Sequence, residues 1–161
     1  MSTLFHEQQT LLAHQLDVLT RLEAGTRFSL ARLPQPLKAH HLHEPEVAER
    51  VASLTDRFTK LQDPLAGSLR HAHAMLGERY RSYADVVTWA VLQGIIPAPE
   101  AWYELRALRN RLTHEYDLEA AQALEVIQTM LESIEEMAAI IQRFRAVCIE
   151  FHFLPSPPAA S

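Results

Sequence analysis

Apolar residues recur at three- and four-residue intervals through most of the chain, with polar residues between them, which is the period of helices packed on one another. Leu4, Leu12, Leu16, Leu19 and Leu22 predict a first helix over residues 4–30, with Gly25 fraying or ending it. Pro34 and Pro36 open an irregular link through His40, His41 and His43, and Glu44-Pro45-Glu46 reads as a new start because proline is tolerated in a first turn. Val47, Val51, Leu54, Phe58 and Leu61 carry the second helix. Asp63-Pro64 is expected to stop or kink it, since proline lacks the amide donor and clashes with the preceding turn. Leu65, Leu69, Ala72 and Leu76 then resume the period.

A shorter helix fits Ser82 to Gln93, and the run Gly94-Ile95-Ile96-Pro97-Ala98-Pro99 supplies a glycine stop and a proline-led restart. The next helix is predicted from about Pro99 to Tyr116, and Asp117 is placed to cap the last one. In that last helix Leu124, Ile127, Leu131, Ile134, Ala138 and Ile141 form an a/d-type seam. Val126, Met130, Met137, Ile140 and Phe144 widen the seam, so one side is expected to face the bundle and the other a further partner. The pattern predicts an all-α, antiparallel helical bundle of four to five main helices. It forms one domain over residues 1–154, with 155–161 as a disordered tail.

Composition narrows the class. Only four glycines in 161 residues favour helices over a turn-rich β fold. A formal net charge of −5 argues against broad attraction to nucleic acid, so any RNA contact must be local. Cys148 is the sole cysteine, which excludes an intramolecular disulfide and a cysteine metal cluster. The start, Met1 to Glu7, lacks a basic segment followed by an apolar run, and no apolar stretch approaches the roughly 20 residues that span a bilayer. A cytoplasmic protein without a membrane segment is expected.

The densest chemistry lies in Arg109-Asn110-Arg111-Leu112-Thr113-His114-Glu115-Tyr116. Arginine offers a planar fork to phosphate oxygens, and histidine exchanges protons near neutral pH, so the pair can handle a phosphodiester without a metal or cofactor. On a helical wheel Ala101, Leu105, Leu108 and Leu112 form a core stripe, and Glu104, Arg111 and Glu115 fall on a solvated face. Trp102, Tyr103, Arg106, Arg109, Asn110, Thr113 and His114 fill the remaining wedge. Arg109 and His114 are roughly 140° apart, so they flank a broad groove that a second surface must complete. A plainer reading makes this wedge a solvated helix face, with His114 satisfying a carbonyl at the helix end.

The spacing Arg-x-x-x-x-His, with Asn110 after Arg109 and Tyr116 two after His114, resembles the signature of HEPN domains. It is closer still to the HepT-type toxins with their Arg-x-x-x-x-His-x-Tyr pattern. Arg57 to Asp63 and the run from Gly94 to Trp102 are similar as well, and the likeness covers most of residues 45–145. The first helix and the long link over residues 31–44 depart from the compact toxins. The resemblance implies a homodimeric, metal-independent ribonuclease with two such motifs in one cleft. By that resemblance Arg109 and His114 would be catalytic and Asn110 would orient the phosphate or His114, while Arg106 and Thr113, from the same wedge, and Asp63, beside the expected kink, are candidates for binding or orienting RNA. It further implies a nucleotidyltransferase antitoxin partner that silences the enzyme by attaching AMP to Tyr116, whose plainer role is an amphipathic anchor. Relatives of this kind have also been read as substrate- or nucleotide-binding subunits of a minimal nucleotidyltransferase, which is the alternative.

Other groups are weaker. His40, His41, His43 and Glu44 are suitable metal ligands, but their proline-flanked setting reads as a mobile loop and no metal site is assigned. His71 and His73, two apart on a helix, are expected at the surface. Asp63 either joins the motif's acidic surroundings or caps a helix beginning at Pro64. Arg57 and Lys60 either lend charge to the groove or are solvated, and Trp89 and Trp102 read as core or interface.

Overall fold

The computed structural model describes residues 2–114 and 118–156, and every described regular element is helical. Five α-helices follow in order: α1 Thr3–Leu30, α2 Pro45–Met75, α3 Tyr83–Leu92, α4 Pro99–Leu112 and α5 Ala120–Glu150, with a 3₁₀ turn at Ala39–His43 between the first two. Cross-helix contacts fix their directions. Arg57 reaches Gly25 and His71 reaches Gln15, so α2 runs antiparallel to α1. Arg27 meets Glu135 and Arg145 meets Thr20, which sets α5 antiparallel to α1 as well. The core between them is built from fully buried Leu12, Leu16, Leu19, Leu54, Phe58, Leu65, Met130 and Phe144.

Helix α2 does not stop at Asp63-Pro64. It continues unbroken for 31 residues, and Ser68 Oγ donates to the Pro64 carbonyl at 2.6 Å. A mid-helix proline costs about 3 kcal/mol or more. Burial of Leu61, Leu65 and Leu69 on one stripe across the proline, at about 1.5–3 kcal/mol each, outweighs that. Gly25 likewise leaves α1 intact. Gly67 lies in α2 with open space where a Cβ would stand, so Gly67→Ala is expected to raise stability by about 0.5–1 kcal/mol through lower unfolded-state entropy. A urea midpoint that fails to rise would contradict this.

The link before α2 is pinned rather than loose. Leu33 and Leu37 are buried, Leu42 is half-buried against the core, and the three histidines sit on an ordered 3₁₀ turn, contrary to the mobile loop expected. Asp85 opens α3 by accepting the Arg81 and Ser82 amides, which hold its carboxyl below the usual range. Gly94, at φ +70°, closes α3 in the left-handed conformation that glycine accepts most readily.

The wide apolar face of α5 is consumed inside the chain. Val126, Met130, Met137, Ile140 and Phe144 are all buried, because α1, α2, α4 and the 3₁₀ turn surround this helix. The face therefore gives no argument for a second copy. Beyond α5, Phe153 folds back into the core and Gln9 Nε2 donates to the His152 and Leu154 carbonyls. The end of the tail, residues 157–161, lies outside the described residues. Burial pushes the Cys148 thiol up to about 12, so it stays protonated and unreactive. Among the described residues no helix is long and apolar enough to cross a membrane.

Candidate functional site

The site begins with the register of α4 on α2. The two helices run antiparallel, and buried Gln62 fixes their register by donating from Nε2 to the Leu105 carbonyl at 3.0 Å. Leu105, Leu108 and Leu112 enter the core as the wheel requires, and Ala101 is half-buried against it. Trp102 leaves the polar wedge: it is buried, stacked 5.9 Å from the half-buried ring of Tyr83. The indole is too large to sit in solvent when α3 offers an aromatic face.

With α4 so placed, Arg106 and Arg109 project together toward α2. Both meet Asp63, whose Oδ1 accepts from Arg106 Nη1 at 3.1 Å and whose Oδ2 accepts from Arg109 Nη2 at 2.8 Å. Because α2 is continuous there, Asp63 has no helix start to cap and instead braces both guanidiniums. Arg57, by contrast, turns away to the Gly25 carbonyl, and Lys60 pairs with Asp56 at 2.8 Å.

Arg109 lines a cavity of about 380 Å³ between α2 and α4, shared with Thr55, Asp56, Thr59 and Thr113. Arg109 Nε and Thr55 Oγ1 are buried there without a hydrogen-bond partner among the described residues. Thr55 and Thr59 were not singled out from sequence, although their four-residue spacing with Asp63 (55, 59, 63) marks one polar stripe of α2.

The last turn of α4 ends earlier than expected. Thr113 Oγ1 donates back to the Arg109 carbonyl at 2.9 Å and His114 N closes a tighter turn onto Arg111, so the helix stops at Leu112 rather than reaching Tyr116. His114 is exposed and, with Asn110, Arg111, Leu118, Gln122 and Glu125, borders a different cavity of about 570 Å³ between α4 and α5. The N-cap of α5 is Glu119, not Asp117. Glu115, Tyr116 and Asp117 lie outside the described residues, and with them the modification site expected at Tyr116. Within one chain, Arg109 and His114 thus border two different hollows among the described residues, one against α2 and one against α5, and His114 takes its place from the turn after α4 rather than from the helical offset.

Two histidine groups change status. His73 is buried, 6.0 Å from the Trp89 ring, because α3 covers the side of α2 that sequence left solvated. His71 is half-buried, and its loss of solvation lowers its pKa. Potential ligand atoms of His40, His41 and Glu44 lie within 4.8 Å of one another, while His43 stays outside the group. His41 Nδ1 accepts the Lys38 amide at 2.9 Å, so the neutral ring carries its proton on Nε2 and has no lone pair left for a cation. No protein-family model matches the chain, and no curated protein matches it either.

Proposed function

We propose that this protein is a metal-independent endoribonuclease of the HEPN type, acting as the toxin of a pair whose antitoxin is a small nucleotidyltransferase. The observation that carries the reading is the paired presentation of Arg106 and Arg109 by Asp63 beside a hollow, with Asn110 and His114 at the same end of α4. Arg109 stabilises charge on the phosphorane-like transition state, and His114 moves the proton. The ribose 2′-oxygen bonds to phosphorus, the bond to the 5′-oxygen breaks, and the ends are a 2′,3′-cyclic phosphate and a 5′-hydroxyl. Asn110 and Thr113 orient the phosphate. Because the two hollows do not merge within one chain, the productive site is composite, and a two-fold homodimer is the commonest way to bring two such faces together.

Purified protein is expected to cut RNA in EDTA and leave cyclic phosphate ends, and expression alone is expected to arrest growth. Harmless expression with no cleavage would favour a nucleotide-binding subunit instead. Coexpression with the partner nucleotidyltransferase is expected to add mass in units of AMP at Tyr116. Tyr116→Phe should lose both that mass and the relief of toxicity, while cutting RNA near the wild-type rate on its own. AMP mapped to another residue sinks the regulatory part of the reading.

Asp63→Asn provides a structural check. It keeps the size of the side chain but removes the charge that aligns both arginines, an exposed pair worth about 0–1 kcal/mol. Thermal stability should hardly move, while kcat/KM for RNA falls about tenfold through misplacement of Arg109. An unchanged kcat/KM would make Asp63 a mere surface ion-pair partner.

A further inference from the structure

A further charged hollow lies along the N-terminal half of α2, beside the end of α1. It has a volume of about 330 Å³ and is lined in part by Phe28, Arg32, Arg50, Arg57, Glu46 and Glu49. It shares no lining residue with the hollows beside Arg109 and His114.

Its cations are unusually placed for a chain of net charge −5. The Arg32 and Arg57 guanidiniums lie over the Phe28 ring, at 5.4 and 5.8 Å from its centroid, and neither forms an ion pair among the described residues. Arg57 is tethered by Nη1 to the Gly25 carbonyl, and Arg50 by Nη1 to the Arg32 carbonyl at 3.2 Å. Among the described residues Arg50 has only a loose carboxylate partner, Glu46 at 4.0 Å. Phe28 itself is 59% exposed. Two positive charges are thus held at one concave surface against an aromatic ring, whose attraction is weaker than a charge-assisted hydrogen bond to a phosphate oxygen.

We propose that this hollow is a binding site for a small phosphate monoester, with Arg32 and Arg57 as the phosphate ligands and Arg50 in support. The concave shape and modest volume suit a small molecule. Glu49, which has no ion-pair partner among the described residues, works against the anion and limits its affinity.

The test is isothermal titration of inorganic phosphate and of AMP, separately, into the full chain carrying Arg106→Ala and Arg109→Ala, so that the two arginines paired with Asp63 contribute no phosphate binding. Both ligands are expected to bind saturably. Arg32→Gln in that background should weaken both by about tenfold, and Glu49→Gln should tighten both by about two- to threefold, each step scaling with one charge near the phosphate. Arg32 is exposed and its side chain holds no other element in place, so this variant keeps its fold. Arg57→Gln should weaken binding too, with a thermal melt to check its lost tie to Gly25. Absence of saturable binding, binding of AMP without phosphate, or affinities indifferent to Arg32→Gln and Glu49→Gln would overturn the proposal. RNA cleavage is read separately, and failure of the ribonuclease leaves this titration unaffected.

Discussion

Replacing His114 with alanine is expected to lower RNA cleavage at least a hundredfold while leaving the melting temperature near wild type. General acid–base catalysis by one side chain contributes about 10²–10⁴ in rate, and each factor of ten is about 1.36 kcal/mol of barrier. His114 is exposed at the end of α4 and fills no core position, so its loss should not unfold the chain. Arg109→Ala should cost as much, through lost charge stabilisation at phosphorus. Mixing the two inactive variants gives a sharper result. A heterodimer of Arg109→Ala with His114→Ala has one site with an intact arginine and histidine only if these come from different copies. Recovered activity is therefore expected for the composite site, and none for a site built within one chain. If the single variants cut as well as wild type, the activity belongs to a contaminant.

The second large effect is on stability. Phe58→Ala should destabilise the protein by about 3–5 kcal/mol, because the ring is fully buried where α1, α2 and α5 meet and its removal leaves a cavity. Total stabilities are about 5–15 kcal/mol, so this one change takes a large share. For a chain of this size the melting temperature should fall by about 6–20 °C, against a smaller drop for Phe58→Leu. A melt within a degree or two of wild type would mean that the core around α2 is not packed as described.

Helical periodicity was enough to place most of the bundle. Leu12, Leu16, Leu19, Leu54, Phe58, Ile127 and Ile134 all lie inward as their spacing demands. What it could not supply was the partner of each face. Pro64 reads as a stop or a kink, and the stop does not occur, because local rules see the missing amide but not the leucines buried on both sides of it. His73 reads as solvated because α3, which covers it, is a separate element, whereas Trp102, on the polar wedge of the wheel but read as core or interface, is buried against Tyr83. The surplus apolar face of α5 suggested a partner molecule only because one helix viewed alone cannot reveal how many neighbours surround it. In the candidate site, Arg109, Asn110 and His114 are a local pattern, legible in one short stretch of sequence, whereas the bonds from both arginines to Asp63 depend on the register of α2 against α4. Spacing alone likewise misses the end of α4, where Thr113 turns its hydroxyl back onto the helix.

The Asp63 clamp has a consequence for ionic strength. Two guanidiniums and one carboxylate amount to a single net positive charge, so α4 meets its counterion inside the protein. When a polyanion arrives, part of the charge it encounters is already neutralised. The logarithm of affinity should then fall with the logarithm of salt concentration as though Arg106 and Arg109 together engaged about one phosphate rather than two. Removing the carboxylate should steepen that slope by about one unit of charge, even where affinity at a single salt concentration changes little.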